Sequence, residues 1–173
     1  MDKPKEKLKG IRLLALDFDG VFTDNRVFVD DTGREMVICD RADSLGLKLL
    51  RERRPDIRVF VISKETSGVV KGRCDKLKIP ALTGIDDKPK AFRELMEREG
   101  VAPGETAFVG NDLNDVECIR MAGVGISPAD GVREARRAAD LVTRHRGGQG
   151  AIREVTEIIL GIDLRRGGRR KGA

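Results

Sequence analysis

Short apolar runs that stop abruptly at polar residues dominate this chain. Ile11-Arg12-Leu13-Leu14-Ala15-Leu16 stops at Asp17, Ile57-Arg58-Val59-Phe60-Val61-Ile62 stops at Ser63, and Thr106-Ala107-Phe108-Val109 stops at Gly110. Runs this short and continuous read as strands buried on both faces, because a strand wet on one side alternates apolar with polar residues. Segments with helical spacing lie between and after them: Ser44 to Arg53 ahead of Pro55, Gly68 to Leu77, Lys88 to Glu99 closed by Gly100, and Leu113 to Met121. A short strand is expected near Ile79 to Leu82. Val124-Gly125-Ile126, then Val132 to Ala139, then Leu141-Val142 repeat the alternation. Ala151 to Leu160 closes it as a helix with Ile152, Val155, Ile158 and Ile159 on one face. Strands alternating with helices predict an α/β fold, with a parallel sheet covered on both faces. One pair departs from the pattern. Val27 to Asp30 and Glu35 to Cys39 flank Asp31-Thr32-Gly33-Arg34 and read as a β-hairpin, Gly33 supplying a positive φ.

Composition removes several function classes. At 173 residues the chain is expected to form one domain, residues 1–164, followed by a flexible basic tail, 165–173. The net charge of +5 resides in that tail, which holds Arg165, Arg166, Arg169, Arg170 and Lys171 and no acid. Without it the chain carries 29 basic and 29 acidic residues, so there is no basic face for nucleic acid. Absent Trp and Tyr, stacking platforms for single strands are scarce too. No stretch approaches the ~20 apolar residues of a membrane span. The polar start, Met1 to Lys7, lacks the apolar core of a secretory leader, so a cytoplasmic protein is expected. Cys39, Cys74 and Cys118 are odd in number and far apart, and His145 is the single histidine. Buried reduced thiols fit that pattern; a structural zinc site, a disulfide framework or a His-based nucleophile does not.

The chemistry gathers where the apolar runs end. Asp17 and Asp19 follow the first strand, Ser63 and Lys64 the second, and Asn111, Asp112 and Asp115 follow Phe108-Val109-Gly110. In an open α/β sheet the carboxyl ends of strands border one crevice, so groups nearly a hundred residues apart can converge there. Carboxylates crowded together need a cation or a proton between them, and oxygen donors of this kind suit Mg²⁺. Lys88 is a further cation that could face a phosphate. In Asp17-Phe18-Asp19-Gly20 two carboxylates two residues apart can reach one pocket once Gly20 lets the chain turn. Asp17 could then attack phosphorus while Asp19 donates a proton to the leaving oxygen, dividing a difficult hydrolysis into two displacements.

Asp17-Phe18-Asp19-Gly20-Val21-Phe22-Thr23-Asp24 resembles the first motif of the haloacid dehalogenase (HAD) superfamily. Ser63 falls on the second-motif Ser/Thr, Lys88 on the third-motif lysine, and Gly110-Asn111-Asp112-Leu113-Asn114-Asp115 on the acidic fourth motif. More narrowly, the order and spacing resemble the 3-deoxy-D-manno-octulosonate 8-phosphate phosphatases and the C-terminal HAD-like domain of CMP-acylneuraminate synthetases. Ala129-Asp130 and Gly147-Gly148-Gln149-Gly150-Ala151-Ile152-Arg153-Glu154 add to the likeness, which spans roughly residues 11 to 160. The resemblance implies a Rossmann-like HAD fold without a large cap, residues 26–39 forming a small flap. It implies a Mg²⁺-dependent phosphatase of phosphorylated 3-deoxy-2-ulosonic acid sugars, such as an octulosonate 8-phosphate or a nonulosonate 9-phosphate. Asp17 would be nucleophile and metal ligand, and Asp19 acid/base and, through its carbonyl, a second ligand. Asn111 would be the third ligand, with Asp112 and Asp115 in the surrounding layer. Ser63, Lys64 and Lys88 would hold phosphate or substrate. A homotetramer is implied, flap and Arg-rich tail closing a neighbour's pocket over the anionic sugar acid.

Two departures stand out. Asn111 occupies a position where phosphatases of this family usually have Asp, which removes one negative charge from the metal site. Ser63-Lys64-Glu65 replaces the usual Thr-Gly-Arg, exchanging a cation for an anion. Both resemble the synthetase-associated branch. They leave open an alternative, a weakly active or inactive assembly module associated with an acylneuraminate cytidylyltransferase in CMP-sialic acid synthesis. A phospho-accepting receiver domain fits less well, since its acceptor follows a central strand of the sequence rather than the first.

Overall fold

The computed structural model describes residues 3–162, so the basic tail lies outside the described residues. Six parallel strands form one sheet: β1 (Leu13–Leu16), β4 (Arg58–Ile62), β5 (Ala81–Leu82), β6 (Thr106–Val109), β7 (Val124–Ser127) and β8 (Leu141–Val142), in the order β5-β4-β1-β6-β7-β8. The first strand is therefore central. The chain winds outward from β1 through β4 to β5, then returns to the other flank of β1 and continues through β6 to β8. That reversal opens a crevice at the carboxyl end of β1, where ligands bind in sheets of this kind.

The apolar runs are buried on both faces, as their continuity predicts. Leu14 and Leu16 pack with Leu47, Leu50, Val70, Ile152 and Val155, while Leu13 and Ala15 pack with Phe92, Leu95 and Ile119. The first layer is built from α1 (Lys3–Lys9), α2 (Arg41–Arg53), α3 (Gly68–Leu77) and α7 (Ala151–Ile159), the second from α4 (Lys88–Glu99), α5 (Val116–Met121) and α6 (Arg133–Ala138). Each Leu, Ile, Val or Phe side chain so enclosed contributes about 1.5–3 kcal/mol relative to exposure. Helices α2 and α7 meet closely at Gly46, where a β-carbon would lie 2.4 Å from Thr156 Oγ1.

Strands β2 (Thr23–Val29) and β3 (Glu35–Cys39) form the separate antiparallel hairpin. It starts at Thr23 rather than at residue 26, because its pairing shifts register between Thr23 and Val27, around Asn25 with φ 64°. Two other boundaries differ from the sequence reading. Helix α1 precedes β1 although its residues are nearly all polar; Leu8 alone is buried and anchors it to the core. Residues 113–115 form a 3₁₀ turn before α5, because Asp112 and Asp115 cap the backbone there and tighten the first turn. No helix among the described residues is long and apolar enough to cross a membrane.

Candidate active site

Hydrogen bonds that extend the sheet past its formal ends deliver the chemistry to one place. Asp17 N donates to Val109 O at 2.9 Å, Ser63 N to Leu82 O at 2.9 Å, and Gly110 N to Ile126 O at 3.1 Å. Asp17, Ser63 and Asn111 consequently sit at the carboxyl ends of neighbouring strands, and all three are buried. After Asp17 the chain turns sharply, with Phe22 N donating to Phe18 O at 2.8 Å and Phe18 and Phe22 stacking beneath, ring centroids 5.4 Å apart. Gly20 makes the turn possible. Its φ is 78°, and a β-carbon there would fall 2.0 Å from the Asn111 amide. Thr23 Oγ1 accepts from the N–H of Gly20 and of Asn25, each at 3.1 Å, and so fixes the far side of the turn.

Lys88 is only 2% exposed and lies at the first position of α4. Its Nζ is 2.7 Å from Asp17 Oδ1 and 2.7 Å from Asp115 Oδ1. The other oxygen of Asp115 accepts from Asn111 N at 2.9 Å and Asp112 N at 3.2 Å. Asp115 thus ties Lys88 to the turn that carries Asn111. Burial, reinforced by the Asp115 charge, pushes the Asp17 carboxyl up to about 8, although Lys88 opposes the rise. Burial disfavours the charge on Lys88, but its two carboxylates outweigh that and hold its ammonium above the ordinary lysine range. Asp19 is half-buried; burial first, then the Glu65 carboxylate, raises its acid.

Three acceptor positions meet beside this pair. One terminal atom of the Asn111 amide lies 3.2 Å from Asp17 Oδ2 and 2.8 Å from the Asp19 backbone oxygen. With nitrogen there, the amide donates to both and closes the site on itself. With oxygen there, three acceptors face one another with no donor, an arrangement that calls for a cation. Octahedral Mg²⁺ with Mg–O near 2.1 Å separates adjacent ligand oxygens by about 3 Å, which the two distances bracket. The donor set of one carboxylate, one carbonyl and one amide is all oxygen and suits that ion. Among the described residues no trio of His, Cys, Asp and Glu side chains offers another metal cluster.

The remaining sequence-derived candidates are less deeply placed. Ser63 Oγ accepts from Glu65 N at 3.1 Å, ordering the loop after β4 rather than capping α3, which begins five residues later. Glu65 Oε1 accepts from Thr66 N at 2.8 Å and Ser67 N at 3.0 Å, so its carboxylate is held by its own loop. Lys64 is exposed, its ammonium 3.5 Å from Asp86. Asp112 accepts from Leu113 N at 2.7 Å and caps the 3₁₀ turn. Beside Asp19 a cavity of about 280 Å³ opens between hairpin and α3, bordered by Arg26, Glu35, Val37 and Glu65. The pairing of Asp115 with Lys88 escaped the sequence reading, as did the support Thr23 gives Gly20. The presence of Thr in the first motif was the available signal for the second; nothing local signals the first.

Residues 83–154 match the model of the haloacid dehalogenase-like hydrolases. The 3-deoxy-D-manno-octulosonate 8-phosphate phosphatase KdsC of Escherichia coli K12 is 36% identical over 155 residues, 89% of this chain and 81% of that protein. A HAD family hydrolase from Streptomyces avermitilis superposes with a TM-score of 0.86 at 42% identity, over 90% of this chain and 88% of the other. The 3-deoxy-D-manno-octulosonate 8-phosphate phosphatase of Moraxella catarrhalis, solved with a magnesium ion, a phosphate ion and KDO, superposes with a TM-score of 0.88. It is 34% identical, over 93% and 92% of the two chains. With its central β1, its Asp17-Phe18-Asp19-Gly20 turn and these relatives, the chain belongs to the haloacid dehalogenase-like hydrolases, in the branch that contains the octulosonate phosphatases.

Proposed function

We propose that this chain is a Mg²⁺-dependent phosphomonoesterase of phosphorylated 3-deoxy-2-ulosonic acids, such as an octulosonate 8-phosphate or a nonulosonate 9-phosphate. The observation that carries the reading is the approach of one Asn111 amide atom to within 3.2 Å of both Asp17 Oδ2 and the Asp19 carbonyl, beside a buried Lys88. The identity to octulosonate phosphatases along most of the chain supports the substrate class. Those three groups would hold the ion, which when bound neutralises charge on the phosphoryl oxygens.

The residues themselves divide the work. A carboxylate oxygen of Asp17 attacks phosphorus, and the bond from phosphorus to the sugar oxygen breaks. Asp19, its acid raised by burial and Glu65, gives its proton to that leaving oxygen. In the second displacement Asp19 takes a proton from water, whose oxygen attacks phosphorus. The bond from phosphorus to Asp17 breaks, returning the carboxylate and releasing inorganic phosphate. Lys88 and Ser63 stabilise charge on the transferred group, Lys64 reaches the substrate from the rim, and Asp112 and Asp115 hold the turn that presents Asn111. Glu65 and Glu35 border the cavity beside Asp19 through which the substrate would enter.

Assembly belongs to the same proposal. Val27, Phe28, Val29, Met36 and Ile38 on the hairpin are each more than half exposed. An apolar patch of that kind on a charged protein fits burial against another copy, in a homotetramer whose hairpins close neighbouring pockets. The self-satisfied orientation of the Asn111 amide supports a second reading, a non-catalytic assembly module. A panel of sugar phosphates with Mg²⁺ separates the two. Metal-dependent phosphate release that Asp17→Asn abolishes, by at least about 10³-fold, supports the enzyme. No release from any member, or full turnover in Asp17→Asn, refutes it.

A further inference from the structure

The turn at residues 128–132, which follows β7, links the segments on either side of the three-oxygen cluster without contributing an atom to it. Val132 N donates to Asn111 O at 2.8 Å, holding the residue on one side. From the same turn Asp130 Oδ1 accepts from Gly147 N at 2.9 Å, and Ala129 N donates to His145 O at 3.1 Å. Gly147 in turn presses on the other side. A β-carbon on it would lie 1.9 Å from Gly20 O, and Gly148 N donates to Val21 O at 2.9 Å. Gly20 immediately follows Asp19, whose carbonyl is 2.8 Å from the Asn111 amide.

We infer that this turn is a spacer that sets the gap between Asn111 and the Asp19–Gly20 backbone, with Asp130 as its positioning residue. The path runs from Asn111 through Val132 and Asp130 to Gly147, and from there by backbone contact to Gly20. Glycine at 147 is part of the device, because a side chain would hold the two segments apart. Asp130 itself is exposed and touches neither substrate nor reacting atoms; it acts through the Gly147 N–H. The inference rests on the reading that the three oxygens hold Mg²⁺, since the spacing matters only to a ligand that spans them.

The test compares Asp130→Ala with Asp130→Asn, whose amide oxygen still accepts the Gly147 N–H. Three quantities are read: the Mg²⁺ concentration that half-saturates the rise in thermal midpoint, hydrogen exchange over residues 18–23, and kcat and KM for p-nitrophenyl phosphate. Asp130→Ala should need about tenfold more Mg²⁺, as losses around metal ligands commonly do. It should quicken exchange over 18–23, and lower kcat at fixed Mg²⁺ more than it raises KM. Asp130→Asn should restore all three. Mg²⁺ half-saturation and exchange both unchanged in Asp130→Ala would overturn the inference, as would exchange quickened only over residues 143–150, the mark of a mere tether. If Asp130→Ala fails to fold, Asp130→Glu lengthens the spacer instead, and unaltered Mg²⁺ binding there refutes it equally. A wild-type protein that binds no Mg²⁺ and hydrolyses no phosphoester refutes the proposed function; exchange over 18–23 then decides the spacer alone.

Discussion

Asn111→Asp tests the metal site through charge. The new carboxylate would place an oxygen about 3.2 Å from Asp17 Oδ2. Two unit charges at that separation, in an effective dielectric near 20, repel by about 5 kcal/mol. Without metal the pair avoids most of this by keeping a proton, which costs about 1.4 kcal/mol per pH unit above the pKa. Asp17, already raised to about 8, holds that proton near neutrality. The metal-free variant should therefore fall further below the wild type as pH rises past about 8. With Mg²⁺ both carboxylates face the ion, and the added charge should tighten binding roughly tenfold. That adds about 1.4 kcal/mol to the stabilisation seen at saturating ion, in proportion to the ratio of dissociation constants. The assay is urea unfolding with EDTA and with Mg²⁺, across the pH range. Equal Mg²⁺ stabilisation of variant and wild type would show that position 111 does not face the ion, and the argument from three oxygens would fall.

Two further perturbations probe the frame around the site. Asp43 is buried at the start of α2, where Oδ1 accepts from Arg153 N at 2.7 Å while Oδ2 has no hydrogen-bond partner. Burial raises its carboxyl from 3.8 to about 6, so ionising it opposes folding; that penalty develops as pH rises from about 4 and is complete above about 6. Asp43→Asn should therefore stabilise by up to about 3 kcal/mol near neutrality and by little near about pH 4, as urea midpoints would reveal. A variant equally stabilised at both pH values would contradict the assignment. On the hairpin, Phe28→Ser should leave monomer stability within about 0.5 kcal/mol, because Phe28 is 58% exposed, yet shift the protein to smaller species in sedimentation equilibrium. Unchanged sedimentation would remove the hairpin from any interface.

Much of the fold was legible in the residues because a parallel sheet writes itself as continuous apolar runs. The ends of those runs located Asp17, Ser63 and Asn111, since strand termini are where side chains leave the core. Helix α1 escaped because one buried Leu8 among lysines has no periodicity to detect. The early start of the hairpin escaped because Asn25 at φ 64° interrupts the alternation that pairing would otherwise show.

What the sequence determined alone was the layering, the residue types at the strand ends, and the two-residue spacing of Asp17 and Asp19. The tertiary structure alone decided which oxygens meet. Asn111 reaches Asp17 and the Asp19 carbonyl because β6 pairs with β1 and Gly20 leaves room for the amide. Lys88 lies between two carboxylates because Asp115 turns back from a 3₁₀ turn toward the start of α4. Periodicity reports which face a side chain occupies. The distance between remote atoms depends on strand order, register and how closely two backbones approach, and no local pattern encodes those.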